Sequence, residues 1–143
     1  MRNNKLIQDL IKELKNLFLR LKRNTDKLTK DELGKYGERI AEKYLKKNGY
    51  NILEKNFKCI YGEIDIIAKE SNCIVFIEVK TRRRIKSMLP EDSVGFMKQK
   101  HLKKVAEYYL HKRNNEDAVY RFDVVSVELS KGCSQIYLVR DVI

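Results

Sequence analysis

The sequence predicts an α/β domain whose elements run helix, strand, strand, strand, helix, strand, strand, behind a further N-terminal helix. Three observations predict it. Two short runs rich in isoleucine and valine, Ile64–Ala68 and Cys73–Val79, flank the polar Lys69-Glu70-Ser71-Asn72 and read as a hairpin. Two longer stretches, 29–48 and 93–112, repeat apolar residues at three- and four-residue steps, as amphipathic helices do. A second pair of apolar runs, 119–129 and 135–142, closes the chain as a hairpin around Lys131-Gly132.

At 143 residues the chain is long enough for one domain with a single core. Its net charge of +11 favours an anionic partner, nucleic acid or an acidic membrane surface. The charge is uneven: Met1–Lys30 holds nine basic and three acidic residues. Residues 1–28 therefore read as a basic amphipathic helix and linker, and residues 29–143 as the domain proper. Cys59, Cys73 and Cys133 are odd in number and widely spaced, which fits reduced thiols and a cytoplasmic location. No apolar run is long enough to cross a membrane, and none looks like a secretory signal.

The first helix is expected from about Asn4 to Lys22, where Leu6, Leu10, Leu14, Leu17 and Leu21 form part of one stripe. Its other faces are strongly basic. It is either a docking or dimerisation element, an interfacial membrane helix, or a nucleic-acid arm. The second helix begins at the capping-box pair Thr29 and Glu32 and ends near Asn48, with Gly49 as its C-terminal glycine. Leu33, Tyr36, Ile40, Ala41, Tyr44 and Leu45 make its buried face, with Glu38 at the border. Gly34 and Gly37 weaken this helix by roughly 1 kcal/mol each, and such glycines often permit close backbone approach.

Tyr50–Ile60 is the first strand, and Tyr61-Gly62 turns it into the central hairpin. If Ser71-Asn72 is the second turn, with Asn72 suited to a positive φ, paired residue numbers sum to 143. Asp65 then faces Glu78, Lys80 shares the face of Glu78, and Glu63 shares that of Asp65. After Lys80 comes a basic loop carrying Arg82, Arg83, Arg84 and Lys86, well placed to hold phosphates. The third helix spans Ser93–Lys112, its apolar side built from Val94, Met97, Leu102, Val105, Ala106, Tyr109 and Leu110. His101 and His111 are isolated on it and read as surface residues. Asp123 is an acid inside the apolar strand 119–129, and Arg121, on its own face, is the simplest partner.

Two facing carboxylates repel, and apolar surroundings add a desolvation cost. One acid is protonated, or a cation such as Lys80 neutralises the pair, or a metal ion lies between them. A turn shifted by one residue would instead put the acids on opposite faces.

An acid on the second strand and Glu-Val-Lys on the third, after a helical glutamate, resemble the PD-(D/E)xK nucleases. GKYGERIAEKYL, GYNILEKNF, GEIDIIA, VFIEVKTR, KQKHL and RFDVV, in that order, resemble the YraN-like family of uncharacterised proteins, itself similar to archaeal Holliday-junction resolvases. The resemblance covers roughly Leu33–Ile143. It implies a restriction-endonuclease-like three-layer fold, a mixed β-sheet flanked by helices. It also implies that Asp65 and Glu78 hold Mg²⁺ or Mn²⁺, with Glu38 as a third acidic group. Lys80 would orient or deprotonate the attacking water, Gln99 would be a polar helper, and Lys98 would touch phosphate. Ile64 stands where the superfamily's name has proline.

That set implies a metal-dependent endonuclease acting on DNA, including branched or repair intermediates. Carboxylate oxygens suit a hard divalent cation, which offsets charge on a phosphodiester and acidifies bound water. The rival readings are a non-catalytic nucleic-acid-binding or assembly protein on the same fold, and an interaction or membrane-surface protein working through its first helix.

Overall fold

The computed structural model describes residue 12 and residues 27–83, 96–130 and 133–143. Of the predicted first helix only Lys12 is described, helical and exposed; the rest lies outside the described residues.

Helix α1 spans Lys30–Lys47, and its start and end follow the sequence signals. Thr29 accepts the amide of Glu32, whose carboxylate accepts the amide of Thr29 at 2.8 Å. Asn48 caps the other end, and Gly49 follows with φ +86°, a left-handed conformation that glycine adopts without steric cost. The strands are β1 (Asn51–Cys59), β2 (Gly62–Glu70), β3 (Cys73–Arg83), β4 (Tyr120–Ser130) and β5 (Cys133–Val139). Helix α2 is described over Phe96–Lys112; the predicted start at Ser93, with Val94, lies outside the described residues.

The strands form one sheet in sequence order. Every neighbouring pair is antiparallel except β3–β4, which is parallel. A parallel pair needs a crossover connection, and α2 lies in it. Helix α1 covers one face, through Leu33, Ala41 and Leu45 against Ile66, Val75, Ile77 and Val125. Helix α2 covers the other, through Leu102, Val105 and Ala106 against Ile64, Phe76 and Phe122. This is the three-layer, restriction-endonuclease-like arrangement with a mixed sheet that the resemblance implies.

Several local expectations are corrected. The β1–β2 turn is Ile60-Tyr61, since Cys59 pairs with Gly62. Gly62 opens β2 with φ +139°, and a Cβ there would lie 3.4 Å from Val105. The β2–β3 turn is at Ser71-Asn72 as expected, but Ser71 takes the positive φ (+52°). The basic segment after Lys80 is not all loop. Parallel pairing with β4 carries β3 on to Arg83, so Arg82 and Arg83 are strand residues. The closing strands are each offset by one or more residues from expectation, and Lys131-Gly132 lies outside the described residues.

Gly37 is buried where α1 crosses β3, and a Cβ on it would overlap the Thr81 side chain. Gly34 has open space instead, so only one of the two glycines serves close approach.

Asp123, buried within β4, accepts three bonds from Arg121, at 2.9, 3.0 and 3.2 Å. Arg121 also reaches Glu70 (2.7 Å) and the Tyr50 hydroxyl (3.1 Å), and Asp123 accepts the amide of Asp141 at 3.0 Å. The Asp123 hydrogen bonds hold the guanidinium well above its ordinary pKa. Burial pushes Glu70 up, but Arg121 and Arg140 outweigh it and leave the carboxyl below its ordinary value. The acid in the apolar strand is thus part of a satisfied structural network, as its spacing from Arg121 suggests.

Candidate active site

The register of the central hairpin is the expected one: Glu70 pairs with Cys73, and the ladder runs to Ile66 with Ile77. There it stops. Beyond that point β2 stays with β1 as far as Gly62, while β3 stays with β4 as far as Arg83. The two central strands therefore fork, and Asp65 and Glu78 are the first residues past the split. They are not a ladder pair, contrary to the sequence expectation.

The fork has a local cause. Ile66 and Ala68 pack on the α1 side of the sheet, yet Ile64 packs on the α2 side, so regular alternation fails at Asp65. Asn56, between the pairs Lys55–Ile66 and Phe57–Ile64, has φ +52°. Asparagine tolerates that conformation better than most residues. Glu63 consequently turns outward to pair with Lys58 at 3.0 Å rather than joining Asp65.

Asp65 fills the gap in the ladder with its own side chain, its Oδ2 accepting the amide of Val79 at 2.7 Å. Burial pushes its carboxyl up to about 6; the Val79 bond opposes this, and the charges of Glu78 and Glu38 add to it. Glu38 comes from α1 and lines, with Asp65, Asn56, Tyr36 and Lys55, a cleft of about 580 Å³ between that helix and β1–β2. Glu78 is on the α2 side, near enough for its charge to act on Asp65, and α2 supplies its partner: Lys98 Nζ pairs with Glu78 Oε1.

On β3 the even residues Ile74 and Phe76 face α2, so Glu78, Lys80 and Arg82 follow on that face. Lys80 lies in register with Ser126 and is half-buried. Gln99 is half-buried beside Lys98 at the described start of α2. Arg83 is on the opposite face and donates to the Leu28 carbonyl at 2.7 Å. Arg84 and Lys86 lie outside the described residues. The structure thus gathers Glu38, Asp65, Glu78 and Lys98 around the fork, with Lys80 and Arg82 continuing along β3. Sequence reasoning missed Lys98 as the partner of Glu78 and Asn56 as the residue opposite Asp65. A left-handed Asn in a strand leaves no periodic signal.

Among the described residues no three His, Cys, Asp or Glu side chains converge into a ready-made metal cluster. The donor chemistry nevertheless fits a hard divalent cation. Mg²⁺ is commonly held by one or two carboxylates plus water and substrate phosphate. Asp65 is a desolvated carboxylate beside two other acids, an environment that gains from a nearby positive charge. Lys98 supplies such a charge to Glu78 by direct pairing, and to Asp65 only as the last and smallest of the influences on it. Two faces of one sheet thus send acids to a shared split, each with a different degree of compensation. His101 and His111 are exposed, and His111 pairs with Glu116 at 2.8 Å, away from the fork. No helix among the described residues is long and apolar enough to cross a membrane.

The family described as "Uncharacterised protein family UPF0102" matches residues 37–127. A UPF0102 protein of Caldicellulosiruptor saccharolyticus is 52% identical over 103 residues, covering 72% of this chain and 87% of that protein. One from Caldicellulosiruptor bescii is 49% identical over 113 residues, covering 77% and 95%. Among solved structures, that of Pyrococcus furiosus SfsA in complex with Ca²⁺ is 17% identical with a TM-score of 0.35; the match covers 76% of this chain and 61% of that one.

Proposed function

The chain belongs to the uncharacterised protein family UPF0102, and on that footing we propose that it is a metal-dependent nuclease hydrolysing phosphodiester bonds in DNA. The observation that carries the reading is the fork itself. A carboxylate pushed up to about 6 by burial, with Glu78 and Glu38 adding negative charge, is a costly arrangement for a purely structural role. The contrast with Asp123 is instructive, since that acid is fully supplied with donors.

In this reading Asp65 and Glu78 would hold Mg²⁺ or Mn²⁺, with Glu38 contributing charge from α1. Such a cation, when bound, would offset charge on the phosphoryl oxygens and make water more acidic. Val79 fixes Asp65 through its amide, so the carboxylate is oriented by backbone rather than by a mobile side chain. Lys80, two residues beyond Glu78 on the same face, orients the attacking water and sets positive charge beside the scissile phosphate. Lys98 leaves Glu78 for the substrate phosphate, and Gln99 offers a neutral polar group at the same helix end. Arg82 extends the cationic edge along β3. Cleavage would break the bond from phosphorus to the leaving oxygen as water oxygen bonds to phosphorus.

The test is cleavage of labelled duplex, nicked, flap and four-way DNA in Mg²⁺, in Mn²⁺ and in EDTA. Wild type should cut at least one of these with either metal and none in EDTA. Glu78→Gln and Asp65→Asn should abolish cutting while retaining binding. Cleavage that survives in Glu78→Gln would falsify the assignment. Tight binding with no cleavage by wild type in either metal would favour a non-catalytic nucleic-acid-binding protein.

A further inference from the structure

On the α2 side the β1–β2 turn carries an exposed apolar group of a kind that the fork does not explain. Ile60 at the tip is 86% exposed, Tyr61 beside it 43%, and Tyr108 on α2 37%. The two tyrosine rings meet edge to face, centroids 5.9 Å apart. Phe57 backs Tyr108 at 6.4 Å, and Lys104 Nζ lies 5.9 Å from the Tyr61 ring. The tip is seated on the helix where Gly62 meets Val105. These rings are held in place, not free to fold away.

Lys100, Lys104 and Tyr108 follow one another at four-residue steps, so they line one strip of α2, all exposed. Lys98, at the start of that helix, is on Glu78. Ten helical residues from Lys98 to Tyr108 span about 15 Å. From Tyr61 in the turn, four residues into β2 reach Asp65, at most about 13 Å away. The aromatic tip and the fork thus lie about 15 Å apart along α2, with Lys104 at the tip and Lys100 on the side of the helix opposite Lys98.

We propose that this strip is a track for an unpaired nucleic-acid strand, whose bases stack on Tyr61 and Tyr108 while its phosphates meet Lys104 and Lys100 on the outer side of α2. Exposed aromatic rings set among cations suit a polymer with flat bases and one negative charge per unit. Duplex DNA hides its base faces in its own stack, so only an unpaired segment can use these rings. A purely apolar partner would leave the lysines unmatched. Where the track leads rests on the nuclease reading; the stacking does not. The substrate class this selects is single-stranded DNA or duplex with an unpaired arm.

The experiment is done in EDTA, so that binding is read without cleavage. A single-stranded oligonucleotide carrying 2-aminopurine and a blunt duplex of equal length are titrated with wild type, Tyr61→Ala, Tyr108→Ala and Tyr61→Phe. Wild type should quench 2-aminopurine fluorescence. Each alanine variant should lose single-strand affinity by about 5- to 150-fold, the range for removing one stacked ring. Tyr61→Phe should retain it, and duplex affinity should move far less in every variant. Tyr61 is exposed at a turn, so its variants decide the matter even if Tyr108→Ala folds poorly. Unchanged single-strand affinity and quenching in Tyr61→Ala would overturn the track. So would sedimentation showing that Tyr61→Ala turns a dimer into a monomer, with strand binding tracking only that change. Tyrosine-dependent quenching from a protein that cuts nothing in Mg²⁺ would uphold the track and sink the nuclease; metal-dependent cutting with tyrosine-independent binding would do the reverse.

Discussion

The carboxylate of Asp65 accepts the amide of Val79 at 2.7 Å, so a side chain of β2 stands where a strand carbonyl would have continued the ladder. That bond keeps a desolvated acid in place, and its pKa is raised from 3.8 to about 6. The folded state thus binds the Asp65 proton more tightly than the unfolded chain. Its stabilising contribution is complete below pH 3.8 and is lost as pH rises through 6. The difference is about 3 kcal/mol across that window. Asp65→Asn, which keeps an oxygen for Val79, should remove the loss and be more stable than wild type at pH 7. Urea denaturation of both proteins at pH 4 and pH 7 checks this; a variant less stable than wild type at pH 7 would mark Asp65 as a structural anion.

Divalent metal should reverse that penalty in wild type. At ten times its dissociation constant, Mg²⁺ or Mn²⁺ should add about 1.4 kcal/mol, and Asp65→Asn should gain almost nothing. Because Lys98 occupies Glu78, Lys98→Met should bind metal more tightly than wild type while holding DNA less well. Isothermal titration with metal alone separates the two effects. Metal affinity unaltered by the lysine change would mean that Glu78 is not a ligand.

The two glycines of α1 should respond in opposite directions. Gly34→Ala meets open space and gains helix propensity, about 1 kcal/mol. Gly37→Ala drives a methyl into Thr81, next to Lys80, and should cost about 1–3 kcal/mol by overpacking. Thermal melts of the two variants give both signs. Equal shifts would mean that α1 does not sit on β3 as closely as described.

Asp123 should matter for stability alone. Asp123→Ala leaves the part-buried Arg121 with only Glu70 and the Tyr50 hydroxyl, a loss of about 1–3 kcal/mol. The surviving folded fraction should bind metal as wild type does. A milder loss, under about 1 kcal/mol, would show that Glu70 and Tyr50 suffice to hold the guanidinium.

Much of this was legible in the chain. Thr29 and Glu32 mark a helix start because reciprocal capping has one spacing, and Gly49 marks its end because left-handed backbone favours glycine. The hairpin register follows from turn length and the two apolar runs. Other features were hidden for physical reasons. The fork depends on Asn56 in a strand-like stretch, where a periodic pattern carries no record of a positive φ. Arg82 and Arg83 look like loop residues by composition, but pairing with β4, remote in sequence, makes them strand. Lys98 meets Glu78 only through the crossover that makes β3 and β4 parallel.

That crossover also sets an order of assembly. Strands β1, β2 and β3 are consecutive and antiparallel, joined by two-residue turns, whereas β4 must wait for a long loop to close. Asp65 and Glu78 should therefore meet while the chain is still collapsing, before α2 delivers Lys98. The refolding rate, and not only the final stability, should then slow as Asp65 ionises between about pH 4 and pH 7. Stopped-flow refolding that is flat across that interval would place the docking of α2 ahead of the meeting of the two acids.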